Sequence, residues 1–347
     1  MAATFHSGET MKQAPVEALE GFVARHCGGR RVLHALRGDA SHRRYFRVEA
    51  KNTNKDKGAM LAMSAPFPQE DLVAFLRVAA YLRGLGLRVP TIYAYDIAQG
   101  FALIEDLGSN RTYTRCFADG AERQKLYEQA IDSLVRLHHR SRGDSNALFL
   151  PFYDSATLEE EHRLVLDWYA PSCGVSLSEA SSAEYCQRWR TLLDDVLATQ
   201  KDDWVVVLRD YHVDNLIHCE ATAPQQACGL LDFQDARRGA RAYDLVSMLY
   251  DVRINLEQKE RDHLLEYYST CYGATDRDDF ARTCALLNAQ RLCKIVGIFV
   301  RLQKRDGKKA YATYMPQVLR LLRAALDEEP LAPLRAWFAD NGLDLET

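Results

Sequence analysis

No uninterrupted apolar run in this sequence approaches the ~20 residues that a membrane-spanning helix requires. The opening stretch, MAATFHSGETMKQ, lacks both the basic segment and the apolar core of a secretion signal. A membrane partner is therefore not expected, and a cytoplasmic location is. Paired cysteines are missing too: nine are scattered with no Cys-x-x-Cys, which suits free thiols in a reducing compartment. His218, Cys219 and Cys228 form one metal-like coincidence, but their spacing is irregular and no fourth ligand lies nearby. Nor is there an excess of charge of one sign. A formal net charge of −4 over 347 residues argues against nucleic acid or an anionic membrane as the main partner. Internal repeats and low-complexity tracts are absent as well.

What remains is a composition able to bury a core, 47% apolar and 27% charged, at a length that fits two moderate domains. Residues 1–14 read as disordered, and apolar residues recur at helical spacing from Val16 to His26. RRYFRV (43–48) and MLAMSA (60–65), with the polar turn KNTNKDKG between them, read as a β-hairpin. A helix follows between Pro66 and Gly86, and then the short strands TIYAYDI and FALIEDL. Beyond Gly108 helical spacing dominates, at about 122–141, 155–170, 182–199, 243–252, 258–272, 277–305 and 310–326. One island of strand interrupts it: WVVVL (204–208), NLIHC (215–219) and GLLDF (229–233).

That island carries the chemistry. An apolar strand delivers Asp210 into a polar loop, Asn215 opens the next strand five residues on, and a third strand ends in Asp232. Phosphoryl transfer needs such a set: one Asp to accept or orient the acceptor hydroxyl's proton, and an Asn with a second Asp to hold Mg²⁺ against a triphosphate. Hard oxygen ligands favour magnesium over zinc. Asp210 and Asn215 are also ordinary turn formers; the three strands around them favour the functional reading. Tyr211 and His212, inside the loop, read as packing residues.

The segments LRDYHVDNLIH (208–218) and GLLDFQDA (229–236) resemble the catalytic and metal-binding loops of the aminoglycoside phosphotransferase and choline kinase superfamily. The match is closer to bacterial kinases that phosphorylate the anomeric hydroxyl of N-acetylmuramate and N-acetylglucosamine in cell-wall recycling. It extends through GDASHRRYFRV (38–48), FALIEDLG (101–108), LPFYDSATLEEE (150–161), LLDFQDARRGARAYDLVSMLYD (230–251) and IVGIFVRLQKRDGK (295–308). The resemblance implies an α+β, bilobal protein-kinase-like fold: a small β-rich N-lobe over 15–107 and a larger, mostly helical C-lobe over 108–347. It also implies ATP and Mg²⁺ as cofactors, with Asp210 catalytic and Asn215 and Asp232 on the metal. Where the superfamily reads His-Gly-Asp, this chain has Leu208-Arg209-Asp210.

A second departure is the strand MLAMSA, which the resemblance expects to carry a phosphate-pairing lysine and which has none. Arg43 or Arg44 then supplies the cation, or neutralisation rests on the metal; a catalytically dead binding module is the alternative. Ser41 and nearby amides are expected over the phosphates, and backbone groups near Glu105 and Leu107 against adenine. Asp244 reads as the N-cap of its helix, tied to the catalytic loop. On the acceptor side Asp154, Glu161 and Asp235 are candidates for sugar hydroxyls. Arg291, Lys294 and Arg301 fall on one side of a helix. They form either a solvated face or a reader of the lactyl carboxylate that N-acetylmuramate carries. Other hydroxyl acceptors, an aminoglycoside or a choline-like amine, stand second.

Overall fold

The computed structural model describes residues 10–36, 42–49, 59–68, 70–200, 203–221, 223, 226–273, 276–343 and 345. Five strands form an antiparallel sheet in the order β1-β2-β3-β5-β4: β1 (Leu33–Ala35), β2 (Arg44–Val48), β3 (Met60–Ser64), β4 (Ile92–Asp96) and β5 (Phe101–Glu105). Side chains alternate between its faces. Phe46, Val48, Ala62, Phe101 and Leu103 bury against Leu19, Phe22 and Val23 of α1 (Thr10–His26). Met63, Ala102 and Ile104 join Phe75 and Leu82 of α2 (Leu72–Gly84) in the larger core. α2 starts where Asp71 accepts the amides of Val73 and Ala74 at 2.8 and 3.1 Å. α1 begins at Thr10, inside the stretch expected to be disordered; residues 1–9 of that stretch lie outside the described residues.

The rest is mostly helical: α3 (Tyr113–Ala118), α4 (Arg123–Ser141), α5 (Ser155–His162), α6 (Ala170–Ser172), α7 (Glu179–Gln200), α8 (Ala242–Leu249), α9 (Gln258–Tyr272), α10 (Arg277–Lys304), α11 (Met315–Leu326) and α12 (Ala332–Asp340). By length and composition α10 could span a bilayer, yet 78% of its apolar window is buried among neighbouring elements, as in a core helix. Gly297 is why it packs so closely: a Cβ there would overlap Cβ and the carbonyl group of Leu164. The helix expected over 155–170 ends at His162, and the chain rewinds through a π turn over Val165–Tyr169 beside that contact.

The strand island differs from expectation. β6 (Val205–Val207) pairs with β9 (Arg237–Gly239), and β7 (Leu216–His218) pairs with β8 (Cys228–Leu230), each antiparallel. The residues Asp210, Asn215 and Asp232 thus emerge from two separate ribbons rather than from neighbouring ends of one sheet.

Candidate active site

Two non-glycine residues among those described have positive φ, and both border this site: Arg209 at 72° and Asp232 at 55°. Such backbone persists only where surrounding contacts hold it. For Arg209 the holder is Asp244, fully buried in the first turn of α8, which accepts the amides of Leu208 and Arg209 at 2.6 and 2.9 Å. Asp244 therefore ties α8 to the loop as expected, but from within the helix: the cap position belongs to Arg241. Burial pushes its carboxyl up to about 7, against the pull of those two amides.

The loop from Asp210 to Asn215 is bound at nearly every residue. The Asp210 carbonyl accepts the His212 amide at 3.1 Å and Asn215 Nδ2 at 3.0 Å. Tyr211 donates its hydroxyl to the Ala130 carbonyl at 2.8 Å, and Val213 its amide to Asp251 at 3.1 Å. Arg253 joins Asp251 (3.0 Å) to Asp214 (2.6 Å). Burial first, and Arg253 next, hold the His212 imidazole below its ordinary pKa, and its Nε2 lies 3.3 Å from Asn215 Nδ2. Among the described residues the Asp210 carboxylate makes neither hydrogen bond nor ion pair, whereas Asp214, Asp232, Asp235, Asp244 and Asp251 each have a partner.

Across the loop, the Leu231 amide donates to the Asn215 carbonyl at 3.0 Å, and Phe233 stacks on Phe75 of α2 with centroids 5.2 Å apart. These contacts set Asp232 between the sheet and the helices. Its carboxylate accepts Gln234 Nε2 at 2.9 Å and lies 3.6 Å from Arg43 Nη1. Burial and then the Asp210 charge push its pKa up, while Gln234 and Arg43 oppose them. A divalent cation bound here would relieve this crowding of like charge. Asn215 spends its Nδ2 on the loop, so the oxygen of its amide remains as an acceptor. Asn215 and Asp232 together offer two hard oxygens, which fits a Mg²⁺ that completes its shell with phosphates and water.

Asn215, Asp232 and Arg43 are among the polar residues that line a cavity of about 260 Å³. Its apolar walls include Tyr45, Leu61, Pro90, Ile104, Leu107 and Ile217. The Glu105 side chain is turned away to bind Arg88 (2.5 and 2.9 Å) and Thr91 (2.8 Å), and the Arg88 guanidinium holds its carboxyl down to about 2. Its amide is likewise committed, to the Thr91 carbonyl at 2.8 Å. Leu107, whose amide meets no acceptor among the described residues, is thus the donor left on this segment.

Arg43, just before β2, and Arg44, its first residue, part company. Arg43 is buried and paired with Glu70 at 2.8 Å; Arg44 is exposed, its guanidinium 5.2 Å from the Phe46 ring centroid. Ser41 lies outside the described residues.

On the acceptor side, Glu161 is 9% exposed and takes Arg209 Nη2 at 2.6 Å, Lys294 Nζ at 2.9 Å and the Tyr153 hydroxyl at 2.5 Å. Burial pushes its carboxyl up, but Lys294 and Arg209 outweigh it and hold it below the ordinary value. Arg209, standing where the superfamily has glycine, thereby joins Glu161 to the residue next to Asp210. Asp154 caps α5, accepting the Thr157 amide and hydroxyl, both at 3.0 Å. Asp235 is exposed at a second cavity of about 270 Å³ with Arg77, Arg209 and Arg237. The basic stripe on α10 is not a solvated face at two of its three positions. Lys294 is nearly buried on Glu161, and Arg291 is 5% exposed. Among the described residues the Arg291 guanidinium makes no hydrogen bond or ion pair, though its charge reaches Asp244, Asp251 and His212. Arg301 lies in the last turn, half-buried beside Arg305 and Asp306.

Sequence reading missed Asp251, Arg253, Gln234 and the role of Glu70. An acid closing the apolar run DLVSMLYD was the available signal for Asp251, since an aspartate inside a core is retained only with partners.

The model for the phosphotransferase enzyme family matches residues 32–284. The chain is 35% identical over 300 residues to N-acetylmuramate/N-acetylglucosamine kinase of Pseudomonas aeruginosa, a match covering 84% of this chain and 83% of that protein. In fold it is similar to a putative aminoglycoside phosphotransferase of Ralstonia eutropha, at a TM-score of 0.62 and 17% identity over 92% of this chain and 98% of the other. It is also similar to an ADP-bound aminoglycoside phosphotransferase, at a TM-score of 0.55 and 13% identity over 90% and 98% of the respective chains.

Proposed function

This chain belongs to the phosphotransferase enzyme family, and from that premise we propose that it uses ATP and Mg²⁺ to phosphorylate the anomeric hydroxyl of N-acetylmuramate and N-acetylglucosamine. The observation that carries the reading is the unengaged carboxylate of Asp210, held on a loop whose other acids are all committed. Asp210 takes up the proton of the sugar hydroxyl as its oxygen attacks. The bond from that oxygen to the γ-phosphorus forms, the bond to the β–γ bridging oxygen breaks, and ADP leaves. Asn215 and Asp232 would hold the Mg²⁺, which when bound would supply charge neutralisation for the triphosphate. The adenine lies along the apolar walls with the Leu107 amide as its donor, and Glu105 keeps that segment in place through Arg88.

The choice of acceptor is supported by the relative's activity and by the charge around Glu161. Arg209 and Lys294 are two cations on the one carboxylate they share, Glu161, which suits an acidic sugar and repels a polycationic aminoglycoside. The test is ADP release over a panel of amino sugars, aminoglycosides and choline, by wild type and Asp210→Asn. Turnover on the two acetylated sugars, reduced at least about a hundredfold by the substitution, is expected. Turnover on an aminoglycoside alone, or wild-type turnover by Asp210→Asn, would overturn the reading.

A further inference from the structure

β3 offers no cation. Met63 is fully buried opposite Tyr45, Ala62 faces α1, and Leu61 lines the cavity wall. The charge arrives instead from the neighbouring strand. In the β2–β3 register Arg44 stands opposite Ser64, so Arg43 lies one residue beyond the paired stretch, and it lines the cavity with Asn215 and Asp232. Its side chain is 5% exposed. One nitrogen is 2.8 Å from Glu70, itself nearly buried; another is 3.6 Å from Asp232. Glu70 is fixed in turn by the His42 amide at 2.9 Å, immediately before the cap of α2.

We propose that Arg43 is this enzyme's phosphate-facing cation in place of a β3 lysine, and that it exchanges Asp232 for the nucleotide phosphates when metal and ATP bind. The proposal rests on the reading of Asp232 as a metal carboxylate. The two contacts differ in kind. At 2.8 Å the Glu70 pair is a charge-assisted hydrogen bond, whereas 3.6 Å to Asp232 is attraction without one. A divalent cation on Asp232 cancels the attraction and repels the guanidinium, while Glu70 retains it at the cavity's edge. The planar fork can then serve a phosphate and Glu70 together. A buried ion pair gains little stability over an apolar pair, so its retention beside a ligand cavity points to use.

The exchange requires effects of opposite sign. Arg43→Gln removes a phosphate partner and also a competitor for Asp232. MgATP affinity should fall about tenfold or more, adenosine affinity should change less than about twofold, and nucleotide-free Mn²⁺ should bind severalfold tighter. Arg43→Lys should recover most of the MgATP affinity, and Arg44→Gln should match wild type throughout. Calorimetry with each ligand on the full-length proteins reads all of these, and thermal melting verifies the fold. Equal losses for MgATP and adenosine in a folded Arg43→Gln, or no loss for either, would overturn the phosphate role. Unchanged or weaker Mn²⁺ binding would overturn the exchange. If wild type binds ATP equally with and without Mg²⁺, the reading of Asp232 fails and the proposal with it; a metal-dependent wild type with an indifferent Arg43→Gln sinks the proposal alone.

Discussion

Replacing Asp244 by Asn tests what holds the backbone beside Asp210. The Asp244 carboxylate accepts two amides, at 2.6 and 2.9 Å, with no exposure to solvent. Asparagine keeps the shape but turns an NH₂ toward one of them. One buried donor is left without an acceptor, at a cost of about 1–3 kcal/mol. The size of the deficit depends on pH. Burial raises the folded-state pKa from 3.8 to about 7, so between those values the folded protein holds a proton that the unfolded chain has released. Stability from this group is complete below the unfolded value and is lost as pH rises through the folded one. From pH 5 to pH 8 wild type should lose roughly 3 kcal/mol through Asp244, a loss Asp244→Asn does not share. The variant should therefore be less stable than wild type at pH 5 by a margin that narrows toward pH 8, read as the difference in urea midpoint at each pH. Relaxation of Arg209 from its left-handed conformation should also lower kcat by about tenfold or more while leaving KM for ATP within about twofold, since a transition-state contact is disturbed and the nucleotide cavity is not. A deficit that stays constant across pH would refute the buried-carboxyl argument. Unchanged kcat in a destabilised variant would refute the positioning argument.

Three further outcomes follow from the same geometry. Glu105, held down to about 2 by Arg88, contributes stability that is complete above its ordinary value of 4.5 and disappears as pH falls toward 2; Glu105→Gln should have a shallower acid-unfolding curve over that window, and a parallel curve would count against the pairing. Gly297→Ala should destabilise the protein by about 1–3 kcal/mol through overlap with Leu164, whereas Gly84→Ala, with open space around it, should be neutral or stabilising by up to about 1 kcal/mol; equal thermal midpoints for both would contradict the close packing of α10. Arg291→Gln should raise KM for N-acetylmuramate about tenfold, a loss of roughly 1.4 kcal/mol, with little change for N-acetylglucosamine, and parallel losses for both sugars would make Arg291 purely structural.

The fold class was legible because composition and period change along the chain: aromatic and β-branched residues over 43–48, a polar turn and the apolar run MLAMSA after it, then helical spacing beyond 122. The candidate residues of the loop were legible because an apolar strand, an Asp, a fixed gap and an Asn lie close in sequence. What stayed hidden depended on partners far along the chain. β1 and β9 are three residues long, and RRG has no apolar alternation, so pairing with β6 rather than propensity makes β9 a strand. Arg43 was named as a candidate, but only folding brings Glu70 and Asp232 to it. The stripe on α10 reads as solvent-facing because its countercharge, Glu161, lies 133 residues before Lys294. Arg209 shows in the sequence only as a departure from the superfamily's glycine, and its part in the site emerges when its backbone angle and its bond to Glu161 are seen together.

The central claim is the transfer of phosphate to an anomeric oxygen, and one spectrum tests it most directly. Wild-type protein is incubated with MgATP and N-acetylmuramate, and the product is read by proton-coupled ³¹P NMR. The account expects a new phosphomonoester resonance split by the single anomeric proton, and its loss with Asp210→Asn. A phosphorus coupled instead to the two protons of the C6 methylene, or ADP formed with no phosphorylated sugar, would contradict it.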